Sequence, residues 1–240
     1  MPVANSFRLM FNSGMAYRKV VLATGEIYHI FNRAVARQPI FLTKTHYLRF
    51  LNLIQYYQFA ESKMSYSSFK KLKISERERI LYELKKNNQT QVEIIAFCIM
   101  PNHYHLLLKQ TGDSGITTFI KKVQNAYAKY FNIKQNRPGA LWGSQFQAVR
   151  VETDEQLIHL SRYIHLNPST SFITKIEQLE NYAWSSLAQY LGANLYEFVN
   201  QSLIFSFFQN KEDYRKFVFD QSEHQRELGK IKHLLMEKNK

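Results

Sequence analysis

The chain has 240 residues, with 32 Lys or Arg against 19 Asp or Glu, a formal charge of +13. Hydrophobic residues make up 45% of it and aromatics 15%, which excludes wholesale disorder, and no uncharged apolar run reaches the ~20 residues of a membrane span. A lone cysteine, Cys98, excludes an internal disulfide and a Cys-rich zinc site, so a reducing cytoplasm is the expected compartment, and the N-terminal residues show no apolar segment of secretory type.

In chain order, residues 1–25 are weakly patterned and are expected to form a loose arm. Residues 26–35 alternate enough to predict a strand, and 43–59 predict a helix. Residues 61–90 carry eight basic and four acidic side chains and predict a solvated helical insertion, with Ser75 and Glu78 as its capping pair. Residues 92–100 are apolar and rich in β-branched residues, a buried strand. Pro101-Asn102 marks a turn, and 103–109 a second strand. Residues 116–133 form a long amphipathic helix, punctuated by Arg137-Pro138-Gly139, and 145–151 a further strand. Thr153 and Gln156 make a capping box for a helix that should stop near Pro168. The remainder is expected to be helical, with 193–240 a C-terminal extension. Strands alternating with helices predict one α+β domain with a central, largely antiparallel sheet.

The positive charge points to a polyanion, with nucleic acid ahead of an acidic membrane surface. Residues 111–150 hold six basic side chains, Lys121, Lys122, Lys129, Lys134, Arg137 and Arg150, against the single acid Asp113. Phe119, Tyr127, Tyr130, Phe131, Trp142 and Phe146 are interleaved with them. Cations that track a backbone, mixed with rings on which bases stack, suit single-stranded nucleic acid, although several of these rings must also serve the core.

Two short segments carry the chemistry. On a strand, His103 and His105 point to one face and Tyr104 to the other, with the two Cα atoms ~7 Å apart, a spacing that can grip one divalent metal. The alternative is two histidines that merely share a sheet face. On the helix after Thr153, Tyr163 and Asn167 are four apart and share a side, His159 lines the same stripe, and Leu157, Leu160, Ser161 and Ile164 face inward. His159 reads as an exposed structural histidine, with proton transfer as the alternative. His165, about 200° round the helix from Tyr163, reads as packing or phosphate contact.

These segments belong to an ordered set: YHIFNRAV (28–35), QPIFL (38–42), MPNHYHLLL (100–108), GALWGSQF (139–146), RYIHLNP (162–168) and YAWSSL (182–187). The set resembles the HUH single-tyrosine transposases, and within them the REP-associated branch, from about residue 26 to residue 192. The charged insertion at 61–90 and the long tail after 192 depart from the family pattern. The resemblance implies a ferredoxin-like or RRM-like HUH core with helical additions, and a metal-dependent endonuclease and strand transferase acting on single-stranded DNA hairpins formed by palindromic repeats. It implies Mg²⁺ or Mn²⁺ held by His103, His105 and Asn167, with Tyr163 as the nucleophile forming a 5′-phosphotyrosine. For this branch it implies a monomer, whereas related transposases are dimers that exchange the tyrosine helix.

His29, Asn32, Arg33, Lys121, Lys122, Arg137, Trp142 and Arg162 are the candidate DNA contacts. Among the competing tyrosines, Tyr104 points to the wrong face. Tyr127 and Tyr130 lack an Asn or Gln four residues on. The chain has no GxxxxGK[ST] phosphate loop, too few aspartates for a two-metal carboxylate nuclease, and Leu107 where a histidine triad would need a third His. The rival functions are a hairpin-binding protein that no longer cuts and an RNA-binding regulator.

Overall fold

The computed structural model describes residues 21–60, 62, 64–87 and 90–220. Most of the expected N-terminal arm, residues 1–20, and the last 20 residues of the C-terminal extension lie outside the described residues. The strands are β1 (Ile27–Arg33), β2 (Val92–Met100), β3 (His103–Gln110) and β4 (Gln147–Arg150). Helix α1 (Lys44–Tyr57) follows β1, and α2 (Tyr66–Lys71) and α3 (Ile74–Lys86) precede β2. Helix α4 (Gly115–Lys134) joins β3 to β4, and α5 (Asp154–Thr170) follows β4. Short helices α6 (Leu187–Tyr190) and α7 (Ser202–Phe205) lead to α8 (Lys211–Phe219).

The sheet order is β2-β3-β1-β4, with every neighbouring pair antiparallel. With α1 and α4 as the crossovers, this is the ferredoxin-like β-α-β-β-α-β arrangement. The α+β expectation holds. Register fixes the two faces: Arg33 pairs with His103, Phe31 with His105 and His29 with Leu107, and directly opposed residues share a face. Tyr28, Ile30 and Asn32 therefore face the same way as Tyr104, Leu106 and Leu108.

The Tyr104 face is the core side. Helices α1 and α4 close it with Phe50, 5.2 Å from Tyr104 ring to ring, and with Tyr127, 5.2 Å from Phe50. Gln124 Nε2 donates to the Tyr104 hydroxyl at 2.9 Å, and the Tyr127 hydroxyl donates to Ile40 O at 2.7 Å. Each such ring, fully buried, contributes about 1.5–3 kcal/mol. Four of the six aromatics in the basic stretch, Phe119, Tyr127, Phe131 and Phe146, are buried, so most of those rings serve packing rather than bases. The start of α4 lies so close to β2 that a Cβ on Gly115 would meet Gln91 O at 2.0 Å, which leaves glycine as the residue that fits.

The edge strand β2 is covered by the chain's own later residues. Ile99 N–H donates to Trp184 O at 2.8 Å, the Tyr182 hydroxyl to Ile99 O at 2.8 Å, and Asn200 N–H to Ile94 O at 2.8 Å. An edge left bare would offer unpaired backbone groups to another chain. The YAWSSL segment does this work.

Four local expectations are revised. The strand over 26–35 ends at Arg33, and Val35–Arg37 form a tight turn with Ala36 and Arg37 at positive φ. The N-cap of α3 lies two residues before Ser75: Glu76 Oε2 accepts from Lys73 N–H at 3.0 Å, so Lys73 and Glu76 replace Ser75 and Glu78. The insertion is anchored rather than wholly solvated, because Tyr66 and Phe69 are buried against Tyr56. Helix α5 runs through Pro168 to Thr170. A proline this near the C-terminus removes one hydrogen bond only, and the Pro168 carbonyl still accepts from Ile173 N–H at 2.9 Å.

Candidate active site

The β2–β3 turn sets the first histidine. Asn102 Nδ2 donates to Arg37 O at 2.7 Å, which turns Asn102 Oδ1 toward His103 Nδ1 at 2.6 Å. That oxygen only accepts, so His103 carries its proton on Nδ1 and keeps a lone pair on Nε2. His105 is buried behind it with Nδ1 2.9 Å from His29 Nε2, the two rings stacked 5.1 Å apart. The rings of His103 and His105 meet edge to face at 5.1 Å.

Burial keeps both imidazoles neutral. His103 is pushed down to about 3 by desolvation and then by the charge of Arg33, with the Asn167 side chain acting in the opposite sense. His105 is held well below its ordinary value by burial first, then by His103, His29 and Arg33. Neutral imidazole is the form that binds a metal.

Helix α5 brings the other residues to this face. Its N-terminus is capped as expected: Thr153 Oγ1 accepts from Gln156 N–H at 3.1 Å, while Gln156 Oε1 reaches back to Glu152 N–H at 2.9 Å. Leu157, Leu160 and Ile164 bury one stripe. This rotation sets the Tyr163 ring 5.6 Å from His105 and 6.3 Å from His29, edge-on to both. Asn167, one turn on, is buried beside His103, and its Oδ1 has no well-formed hydrogen bond among the described residues.

His103 and Asn167 thus meet in one buried place. A buried amide oxygen short of a well-placed donor costs free energy. Two imidazoles and an amide oxygen fit a divalent cation, and ligating histidines usually carry a partner on the second ring nitrogen, as Asn102 and His29 are placed to be here. Among the described residues, no group of three His, Cys, Asp or Glu converges to form a different centre.

Several predicted DNA contacts lie elsewhere. His29 is fully buried and backs His105 instead of lining a groove. Asn32 is buried, donating through Nδ2 to Ser144 O at 3.0 Å. Arg162 is wholly buried: Nη1 donates to Phe217 O at 2.9 Å, Nη2 lies 3.1 Å from His159 Nδ1, and the guanidinium stacks on Phe217 at 4.2 Å. It ties α5 to α8 and cannot reach a strand on the surface. Trp142 packs against Tyr104 at 5.5 Å and donates to Gln124 O, so its ring belongs to the core side.

Arg137 braces the loop after α4 through Asn132 Oδ1 and Ala140 O. Lys122 donates to Ser62 Oγ at 3.2 Å, and Lys121 is exposed. Arg33 shares the face of His103. His159 is buried against Phe217, not exposed. His165 is fully buried between Tyr214 Oη and Ser186 Oγ, each 2.8 Å away, which excludes phosphate contact.

Asn102 and Tyr214 were not singled out from the sequence. Asn102 carried only a turn signal, and nothing local marks Tyr214.

Residues 54–167 match the model of the IS200-like transposase family. This stretch, just under half of the chain, is similar to IS200-like transposases. Among solved structures, the chain is similar to a REP-associated tyrosine transposase bound to a REP hairpin, at 14% identity over 77% of this chain and 90% of that one, with a TM-score of 0.49. It is also similar to a protein from Deinococcus radiodurans R1 described as a transposase, at 17% identity over 64% of this chain and 95% of that one, with a TM-score of 0.31. No curated protein matches the chain. No helix among the described residues is long and apolar enough to cross a membrane.

Proposed function

We propose that the protein is a metal-dependent single-stranded DNA endonuclease and strand transferase, with Tyr163 as its nucleophile and DNA hairpins as its substrate. The observation that carries this reading is the pairing along α5: Tyr163 stands edge-on to His105 while Asn167, one turn later, reaches His103. His103, His105 and Asn167 would hold Mg²⁺ or Mn²⁺. Such an ion, when bound, neutralises non-bridging phosphate oxygens as charge builds on them.

The chain's own part is positioning. Tyr163 Oη forms the bond to phosphorus and the bond to the 3′ oxygen breaks. The phenol gives up its proton and the 3′ oxygen takes one up, leaving a 5′-phosphotyrosine and a free 3′-OH. Attack by a 3′-OH on that phosphotyrosine reverses the step and joins strands without nucleotide hydrolysis. Arg33 adds a positive charge on the same face. Because α5 packs on the sheet of its own chain, the arrangement supports cleavage within one subunit and a monomeric enzyme. The hairpin specificity rests on the six ordered motifs of the REP-associated branch.

The test is a labelled single-stranded repeat hairpin incubated with Mn²⁺ and resolved under denaturing conditions. A protein-linked DNA band is expected, lost in Tyr163→Phe and in EDTA. Cleavage by Tyr163→Phe at the parental rate rejects the nucleophile, and cleavage in EDTA rejects the metal.

A further inference from the structure

On the face of the sheet opposite Tyr163, a pocket of about 340 Å³ opens between α1, α2 and α4. Three cations line it, Arg49, Lys129 and Lys134, together with Tyr66, Tyr130 and Ile133. No carboxylate lines it, and none of the three cations ion-pairs among the described residues. The Arg49 guanidinium lies 4.6 Å from the Tyr66 ring centroid and 5.0 Å from that of Tyr130. Its Nη2 donates to Ser67 Oγ at 3.0 Å, and its buried Nε has no partner among the described residues. Ile133 is 72% exposed at the rim.

Like charges gathered without counter-charges repel one another, and the free chain bears that cost. An anion relieves it. The rings and the exposed isoleucine beside the cations add an apolar surface that a simple anion does not use, but a base does. Helix α2, which supplies Tyr66 and Ser67, comes from the charged insertion that departs from the family pattern.

We propose that this pocket is a second grip on single-stranded DNA, holding one nucleotide with its phosphodiester on Arg49, Lys129 and Lys134 and its base against Tyr130 and Ile133. Lying across the sheet from Tyr163, it would engage DNA away from the scissile bond. The inference rests on nucleic acid being the ligand, as proposed above, but not on cleavage.

The test is equilibrium binding of fluorescein-labelled dT20 to full-length Tyr163→Phe protein in EDTA, conditions in which no adduct forms. Lys129 and Lys134 are exposed, so K129Q/K134Q should keep its thermal midpoint. It should bind about tenfold more weakly, with a salt slope shallower by roughly 1.4, from about 0.7 per lost single-strand phosphate contact. Tyr130→Ser should weaken binding by about 5- to 150-fold, the range measured for loss of one stacked base. Photo-crosslinking of 5-iodouracil-substituted dT20 should label the peptide containing Tyr130.

Parental affinity in K129Q/K134Q, crosslinks only to peptides of the Tyr163 face, or no binding of dT20 by the parent would each overturn the proposal. A loss seen with U20 and not with dT20 would overturn the DNA assignment in favour of RNA. Failure of the parent to form a covalent adduct, with these binding changes intact, would sink the catalytic reading and leave the pocket standing.

Discussion

His29 Nε2 lies 2.9 Å from His105 Nδ1, although 76 residues separate them. The pairing of β1 with β3 makes the contact, and it fixes both the tilt of His105 and the nitrogen that would face the proposed metal. A ligating imidazole whose second nitrogen is tethered binds more tightly than one free to rotate.

His29→Phe keeps a ring in the stack and removes the tether. Mn²⁺ affinity, followed by titration calorimetry, is expected to fall by about 10- to 100-fold. An unchanged affinity would show that His105 needs no support from β1.

Tyr214 provides a test of α5, the helix that carries the proposed nucleophile. Its hydroxyl lies 2.8 Å from His165 Nδ1 and 3.1 Å from Ser161 Oγ, in a fully buried site. Tyr214→Phe leaves those partners short of a hydrogen bond, at about 1–3 kcal/mol. For a chain of this size the thermal midpoint should drop by roughly 2–4 °C per kcal/mol. Mn²⁺ binding at His103 and His105 should persist in the folded variant, and its loss would assign Tyr214 a direct part in the site.

Gly115→Ala addresses the seam between α4 and β2. The added methyl meets Gln91 O at 2.0 Å, a backbone atom that cannot rotate away. Overpacking of this kind costs about 1–3 kcal/mol. A denaturation midpoint equal to that of the parent would mean that the seam opens without penalty.

Stability should also depend on pH through His46. Leu42 N–H donates to its Nδ1 at 3.2 Å. Burial first, and Lys134 second, lower its pKa from 6.5. Folding therefore selects the neutral ring: its contribution is complete above the unfolded value and is lost as pH falls through the folded one. The unfolding free energy should decline from pH 7 to pH 5, and less steeply in His46→Gln. Equal slopes for the two proteins would point to another group.

What the sequence made legible follows the range of the interactions. The β2–β3 hairpin was readable because eight apolar or β-branched positions in β2, a Pro-Asn turn and an alternating pair of histidines are all local. So was the Thr153 cap of α5. The tether from His29 was not, since a histidine on β1 announces nothing until the register with β3 is known. Arg162 misled for a related reason: a basic residue beside the candidate nucleophile looked like a phosphate contact, but α8, more than 45 residues later, buries it. Trp142 and Asn32 were claimed by the core in the same way.

Ser186 joins two of these layers. Its Oγ accepts from Phe97 N–H of the edge strand at 2.9 Å and stands 2.8 Å from His165 Nε2 on the tyrosine helix. A mutational screen scored on DNA cleavage alone would therefore mark Ser186 as strongly as Tyr163. Only a parallel measure of fold would separate the proposed nucleophile from the residue that keeps it aimed.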